Sequence, residues 1–137
     1  MAARAQEVLQ YATIRPFTVA SGQVASRGFA VKHSGADDAV QDMAAVGDNC
    51  IGIALEAGAA LASVRVALFG NGICKVKVGT GGATRGAPAK YAADGLTNAT
   101  VGGATTKLVV LGSFMQTGVV GDFVGLNLGG FSFTVGS

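Results

Sequence analysis

The chain has 137 residues, half of them hydrophobic and only 13% charged, with a formal net charge of +2. That length fits one domain able to bury its own core without disulfides or a structural metal. A charged fraction near half the ordinary value of about a quarter, with a mean hydropathy of +0.48, leaves two accounts: a membrane protein, or one that buries extra surface against copies of itself.

The membrane account is the weaker one. A spanning helix needs about 20 consecutive apolar residues, but the window 50–62 is cut by Glu56 and glycines, and 108–121 carries Ser113, Gln116 and Thr117. The opening MAARAQEVLQYA has Glu7 as well as Arg4 and no apolar run, so it does not read as a secretory signal and a cytosolic origin is expected. Charges of both signs are scattered, without the basic stripe that nucleic acid demands.

Residues 1–20 differ from the rest in having few glycines and an Arg15-Pro16 step. Residues 2–11 permit a turn or two of helix. Pro16 restricts pairing to an edge or an irregular extended segment. The segment therefore reads as an arm outside a compact β domain of residues 21–137, suited to adding a strand to a neighbour.

Glycine, with 22 residues against two prolines, punctuates the remainder into short strand-like runs. GQVASRGFAVKH offers Val24, Phe29 and Val31, with Gly28 as a bulge. CIGIALE is a short apolar strand closed by Glu56, and 57–62 is a second short helical candidate. SVRVALFG alternates Val64, Val66 and Leu68 against Arg65, Ala67 and Phe69, and ICKVKV alternates Cys74, Val76 and Val78 against Lys75 and Lys77. Asn71-Gly72 between them is a strong two-residue turn signal, so 63–78 is predicted to be a β-hairpin. KLVVLGSFM reads as a strand buried on both faces or in a subunit interface. DFVGLNL and FSFTV complete the series. The fold class expected is mainly β: a small single-domain β-barrel or sandwich with an extended N-terminal arm.

Catalytic chemistry is hard to assemble. His33 is the only histidine, and it stands at a strand end beside Ser34-Gly35. Asp37, Asp38, Asp42 and Asp48 lack calcium-loop spacing. Cys50 and Cys74 make no CxxC pair and read as buried thiols. The glycine loops at 70–72 and 79–86 lack the Lys-Ser/Thr of a phosphate loop, since Ala87-Pro88 follows Gly86. No cofactor, metal, small-molecule substrate or enzymatic activity is expected.

The order of these runs resembles the cement, or head-decoration, proteins of tailed-bacteriophage capsids. The resemblance spans residues 21–128. It rests on Gly22 and Val24, on Ile51-Gly52-Ile53-Ala54-Leu55, on Val64 and Val66 running into Gly70, on Lys75-Val76 with Gly79, on the segment 88–95, and on the strand and closing Gly-Asp turn of 108–122. The acidic residue usual after the turn glycine is absent here, where Gly58 precedes Ala59-Ala60.

The resemblance implies a compact β domain, homotrimeric, on the outer surface of the virion. It would be made in the bacterial host cytoplasm and would clamp neighbouring major capsid protein subunits. On that view Arg4, Val8, Leu9, Tyr11, Ile14, Pro16 and Phe17 of the arm contact the capsid. Val109, Leu111, Phe114 and Met115 form the contact between copies. A receptor-binding or fibre-associated β domain of a virion is the alternative, and a small β-fold hydrolase a further one.

Overall fold

A computed structural model describes residues 8–10, 12–100 and 107–135, with side chains for 12–100 and 107–130. The described residues are all strand, turn and loop, and they include a closed five-stranded barrel.

The first strand, β1 (Val8–Gln10), lies on β7 (Ile73–Lys77), with Val8 opposite Cys74. The barrel follows: β2 (Thr13–Val19), β3 (Ala30–His33), β4 (Ala39–Asp42), β5 (Cys50–Ala54) and β6 (Ser63–Leu68), closed in the order β2-β4-β3-β5-β6. β2 runs antiparallel to β6 from Thr13↔Leu68 to Thr18↔Ser63 and closes the ring by pairing parallel to β4 at Thr18↔Ala39 and Val19↔Val40. Its side chains alternate, so Phe17 and Val19 point inward and are buried while Pro16 and Thr18 are exposed.

Over Thr13–Val19 this corrects the expectation of an arm spanning residues 1–20; residues 1–7 of that expectation lie outside the described residues. Residues from Thr13 to Val19 are a barrel stave. Pro16 is accommodated because its partner Arg65 directs both backbone groups away from β2: its N–H donates to Glu56 Oε2 (2.8 Å) and its carbonyl accepts from Leu55 N–H (2.9 Å). A missing N–H therefore leaves nothing unpaired there. The helical expectation for 2–11 fails over β1, and 57–62 forms turns rather than helix.

The second half contains β7, β8 (Ala89–Ala92), β9 (Gly95–Asn98), β10 (Lys107–Phe114) and β11 (Phe123–Val135). β7 pairs with β11, β11 with β10, and β8 with β9; bridges at Val78↔Leu96 (parallel) and Pro88↔Ser113 (antiparallel) join them. The circuit β7-β9-β8-β10-β11 thus repeats the circuit of the first barrel, strand for strand and direction for direction.

The repeat extends to single hydrogen bonds. Leu55 N–H donates to Arg65 O, and Met115 N–H to Gly125 O. Ala25 and Gly58 exchange two backbone bonds, as do Ala83 and Gly118. Leu61 N–H donates to Val19 O, and Gly121 N–H to Val78 O, all at matching positions. Gly52 and Gly112 also correspond, and a Cβ on either would overlap a carbonyl oxygen, of Ala67 or of Asn127. The chain is a tandem of two units built on one plan.

Each unit fills its interior from equivalent positions. Phe17, Val31, Val40 and Ala54 belong to the first cluster; Val76, Ala89, Leu96 and Phe114 stand in their places in the second, all buried. Large and small residues trade sites: the phenylalanine sits on the first stave of one unit and on the fourth of the other. Close packing requires such compensation once one position has changed.

The units pack through different faces. Met43, Cys50, Ile53, Leu55 and Ala67 of the first join Cys74, Val109, Leu111 and Leu128 of the second in one cluster. Backbone bonds from Lys77 N–H to Gly28 O (3.0 Å) and Val109 N–H to Val46 O (3.0 Å) cross the junction, and Arg27 stacks on Phe123 at 4.4 Å. In the second unit, Ser113 stands where the first has Ile53, and Asn127 where it has Ala67. Such a head-to-tail junction uses two non-identical surfaces.

The predicted 63–78 hairpin does not form. Both runs are strands, but β6 closes the first barrel and β7 begins the second unit. Asn71 does not adopt the positive φ that the two-residue turn requires, and Gly70 N–H and Gly72 O instead bond Leu128 (3.2 and 2.9 Å).

Candidate functional site

Large apolar side chains that the fold leaves exposed mark surfaces available to a partner. Among the described residues these are Ile14, Val24, Leu61, Met115, Val119 and Val120. Val24, Leu61, Met115, Val119 and Val120 lie outside the strands, and Leu61, Val119 and Val120 on one structural feature that occurs twice: the loops 56–62 and 116–122, which lie between β5 and β6 and between β10 and β11.

Both loops are tied down in the same way. Glu56 Oε2 accepts the Arg65 N–H at 2.8 Å; Gln116 Oε1 accepts the Gly125 N–H at 2.9 Å. Ala62 N–H donates to Ala59 O and Asp122 N–H to Val119 O, both at 3.0 Å. Gly58 and Gly118 sit against Val64 and Val124 too closely for any side chain. What projects is apolar in each case: Ala59, Ala60 and Leu61 at one tip, Val119 and Val120 at the other. Leu61 is 71% exposed and Val119 69%.

Leu61 also has a positive φ of 68°, at the place where Gly121 has 93°. A left-handed leucine costs roughly 1–2 kcal/mol. It stands at the rim of a cleft of about 520 Å³ lined by Val19, Ala20, Ser21, Ala36 and Asp37, among others. A neighbouring cleft of about 540 Å³ is lined by His33, Gly35, Ala36, Asp37 and Asp38.

Polar groups near these clefts are engaged in structural bonds. Arg15 pairs with Asp38 at 2.8 Å on the surface. Ser34 Oγ donates to Gln41 Oε1 at 2.6 Å rather than to His33, whose ring packs edge-on to Phe17. Asp42 accepts from Ser26 N–H (2.9 Å) and Ser26 Oγ (2.7 Å); burial nevertheless raises its pKa, against the lowering effect of those bonds. Burial also opposes ionisation of Asp48. The Ala44 N–H, Lys32 at 3.1 Å and the Ala45 N–H together outweigh it and hold the carboxyl below its ordinary value. Three of the four aspartates singled out in the sequence, Asp38, Asp42 and Asp48, are thus separately employed, and the described residues hold no group of three or more metal-ligating side chains.

The residues expected at partner contacts are dispersed. Arg4 and Tyr11 lie outside the described residues, and so do the side chains of Val8 and Leu9 on β1. Ile14 and Pro16 are exposed on β2, while Phe17 is buried in the barrel. Val109, Leu111 and Phe114 are at most 1% exposed within the chain's own core, so they are not a contact between copies. The reason is the second unit's own need for an interior and a junction. Met115 alone of that set is exposed.

Sequence reading passed over the two tips. The signal was present: Gly52/Gly112, Gly58/Gly118, Val64/Val124 and Leu68/Leu128 recur sixty residues apart. No family model and no curated protein matches the chain.

Proposed function

We propose that this chain is a structural virion protein that decorates and stabilises the outside of a phage capsid by binding across neighbouring major capsid subunits, as a homotrimer. The observation that carries the reading is the disposition of its apolar surface. The described strands spend most of their large apolar side chains on the interior and the junction, and three of the six exposed ones, Leu61, Val119 and Val120, stand at hydrogen-bonded loop tips. Small-molecule chemistry would favour an enclosed pocket with convergent polar groups. Projecting, braced apolar loops favour a protein partner. The resemblance over residues 21–128 points the same way, and the two buried free thiols suit synthesis in a reducing cytoplasm.

The test is co-sedimentation of the purified chain with expanded, DNA-free shells of the phage's major capsid protein, together with its mass in solution. Saturable binding at a fixed high copy number, by a trimer, supports the reading. A monomer that leaves the shells bare overturns it.

A further inference from the structure

We propose that the two loop tips, Ala59-Ala60-Leu61 and Val119-Val120, are the partner-binding elements, and that they engage two copies of one partner subunit, one at each tip. This rests on the capsid-decoration reading and specifies its geometry.

The argument comes from comparing the units with each other. On the second unit's corresponding face, half-buried polar residues stand where the first unit has buried apolar ones: Ser113 in place of Ile53 and Asn127 in place of Ala67. The tips run against that trend. The first exposes a leucine, the second two valines, and none of the described residues buries either. Nor does the loop conformation call for these residues. Gly121 fills the left-handed position of Leu61 while making the same backbone bond, to Val78 O as Leu61 does to Val19 O, both at 2.8 Å. A glycine therefore satisfies the fold, and the leucine serves something else.

The bracing is retained as well. Glu56 and Gln116 differ in charge but accept the same backbone N–H. A loop held in one shape loses little conformational freedom on binding. One chain thus carries an apolar loop tip braced by the same hydrogen bonds twice. That suits a partner offering its site repeatedly, as identical subunits do side by side in a shell. Linking two weak contacts makes the second intramolecular, so the pair holds far more tightly than either alone.

The experiment uses full-length Leu61→Gly, Val119→Ser/Val120→Ser and the triple variant. Thermal unfolding first checks the fold, and Leu61→Gly is expected to match or exceed the parent. Binding is then read by co-sedimentation with the expanded empty shells. Loss of either tip is expected to weaken binding at least tenfold, and the triple variant to show no saturable binding. If the parent binds and the triple variant binds equally well, the tips are not the contact, although the decoration reading stands. A parent that does not bind at all overturns the decoration reading and this proposal with it. Should the triple variant change from oligomer to monomer yet bind shells normally, the tips join copies of this chain, and the proposal is overturned in favour of self-contact.

Discussion

Asp42 and Asn98 do the same work in the two units with different chemistry. Asp42 takes the N–H and the hydroxyl of Ser26; Asn98 accepts the Thr84 N–H at 2.9 Å and donates from Nδ2 to Thr84 Oγ1 at 3.0 Å. The geometry survives exchange of a carboxylate for an amide because a hydroxyl can accept as readily as donate.

Asp42→Asn should therefore keep both bonds and remove a partly buried charge. Burial raises the folded pKa of Asp42 above its ordinary 3.8. Between those two values folding takes up a proton, so stability falls as pH rises through the window, and the cost persists above it. The variant should be more stable than the parent at about pH 7, by a margin on the order of 1 kcal/mol. That margin should vanish as the pH falls below the ordinary aspartate value. Urea midpoints across the range decide it; a constant difference would show that the charge plays no part.

Asp94 should respond with the opposite sign. Thr80 donates to it from both N–H (2.8 Å) and hydroxyl (2.7 Å), and these bonds lower its pKa. Its contribution is present above the ordinary value of 3.8 and is lost as pH falls through the depressed one. Asp94→Ala should thus lower the urea midpoint near neutrality and leave it unchanged at the lowest pH where the chain still folds.

Cys50 and Cys74 should be inert in the native protein. Burial pushes both thiols up to about 12, so almost no thiolate exists near neutrality. Labelling by a thiol reagent at about pH 8 should track global unfolding, with both cysteines reacting together. Fast labelling of Cys50 alone would mean that β5 opens independently.

Strand positions were largely legible, because alternation such as Val64/Val66 and Cys74/Val76 is local. Pairing was not. The Asn71-Gly72 dipeptide is compatible with a hairpin, yet β7 belongs with β11, where Cys74 faces Leu126. β2 was misread because Pro16 is costly in most strand positions; its tolerance depends on where Arg65 sends its backbone groups, which no local pattern reveals. The tips were missed for a related reason. Ala59-Ala60-Leu61 is unremarkable beside other small apolar runs, and only superposition of the two units shows it as one of a pair. Val109, Leu111 and Phe114 were recognised as needing burial, but an apolar run does not state whether its own chain or a second copy provides it.

Gly52 and Gly112 give a direct check on the repeat. At each a Cβ would collide with a carbonyl of the adjacent strand, and Gly112 has in addition a φ of 129°. Both alanine variants should lose roughly 2–3 kcal/mol, with Gly112→Ala the worse of the two. Equal thermal stability of parent and either variant would contradict the close strand approach.

The exchange of large and small residues between the interiors makes a sharper prediction. Phe17 and Ala54 share the first interior, and Val76 and Phe114 stand in their places in the second. Phe17→Val alone leaves a void and should cost about 2 kcal/mol, below the roughly 3–5 kcal/mol of a full Phe→Ala truncation. Ala54→Phe alone overpacks a barrel that already holds Phe17 and should cost on the order of 3 kcal/mol. Phe17→Val with Ala54→Phe transplants the second unit's solution into the first, so the double variant should lose at least about 1 kcal/mol less than the sum of the singles. Chemical denaturation of the four chains measures the coupling. Strict additivity would mean that the two positions do not compete for one volume, and the equivalence drawn between the two interiors would fail at these sites.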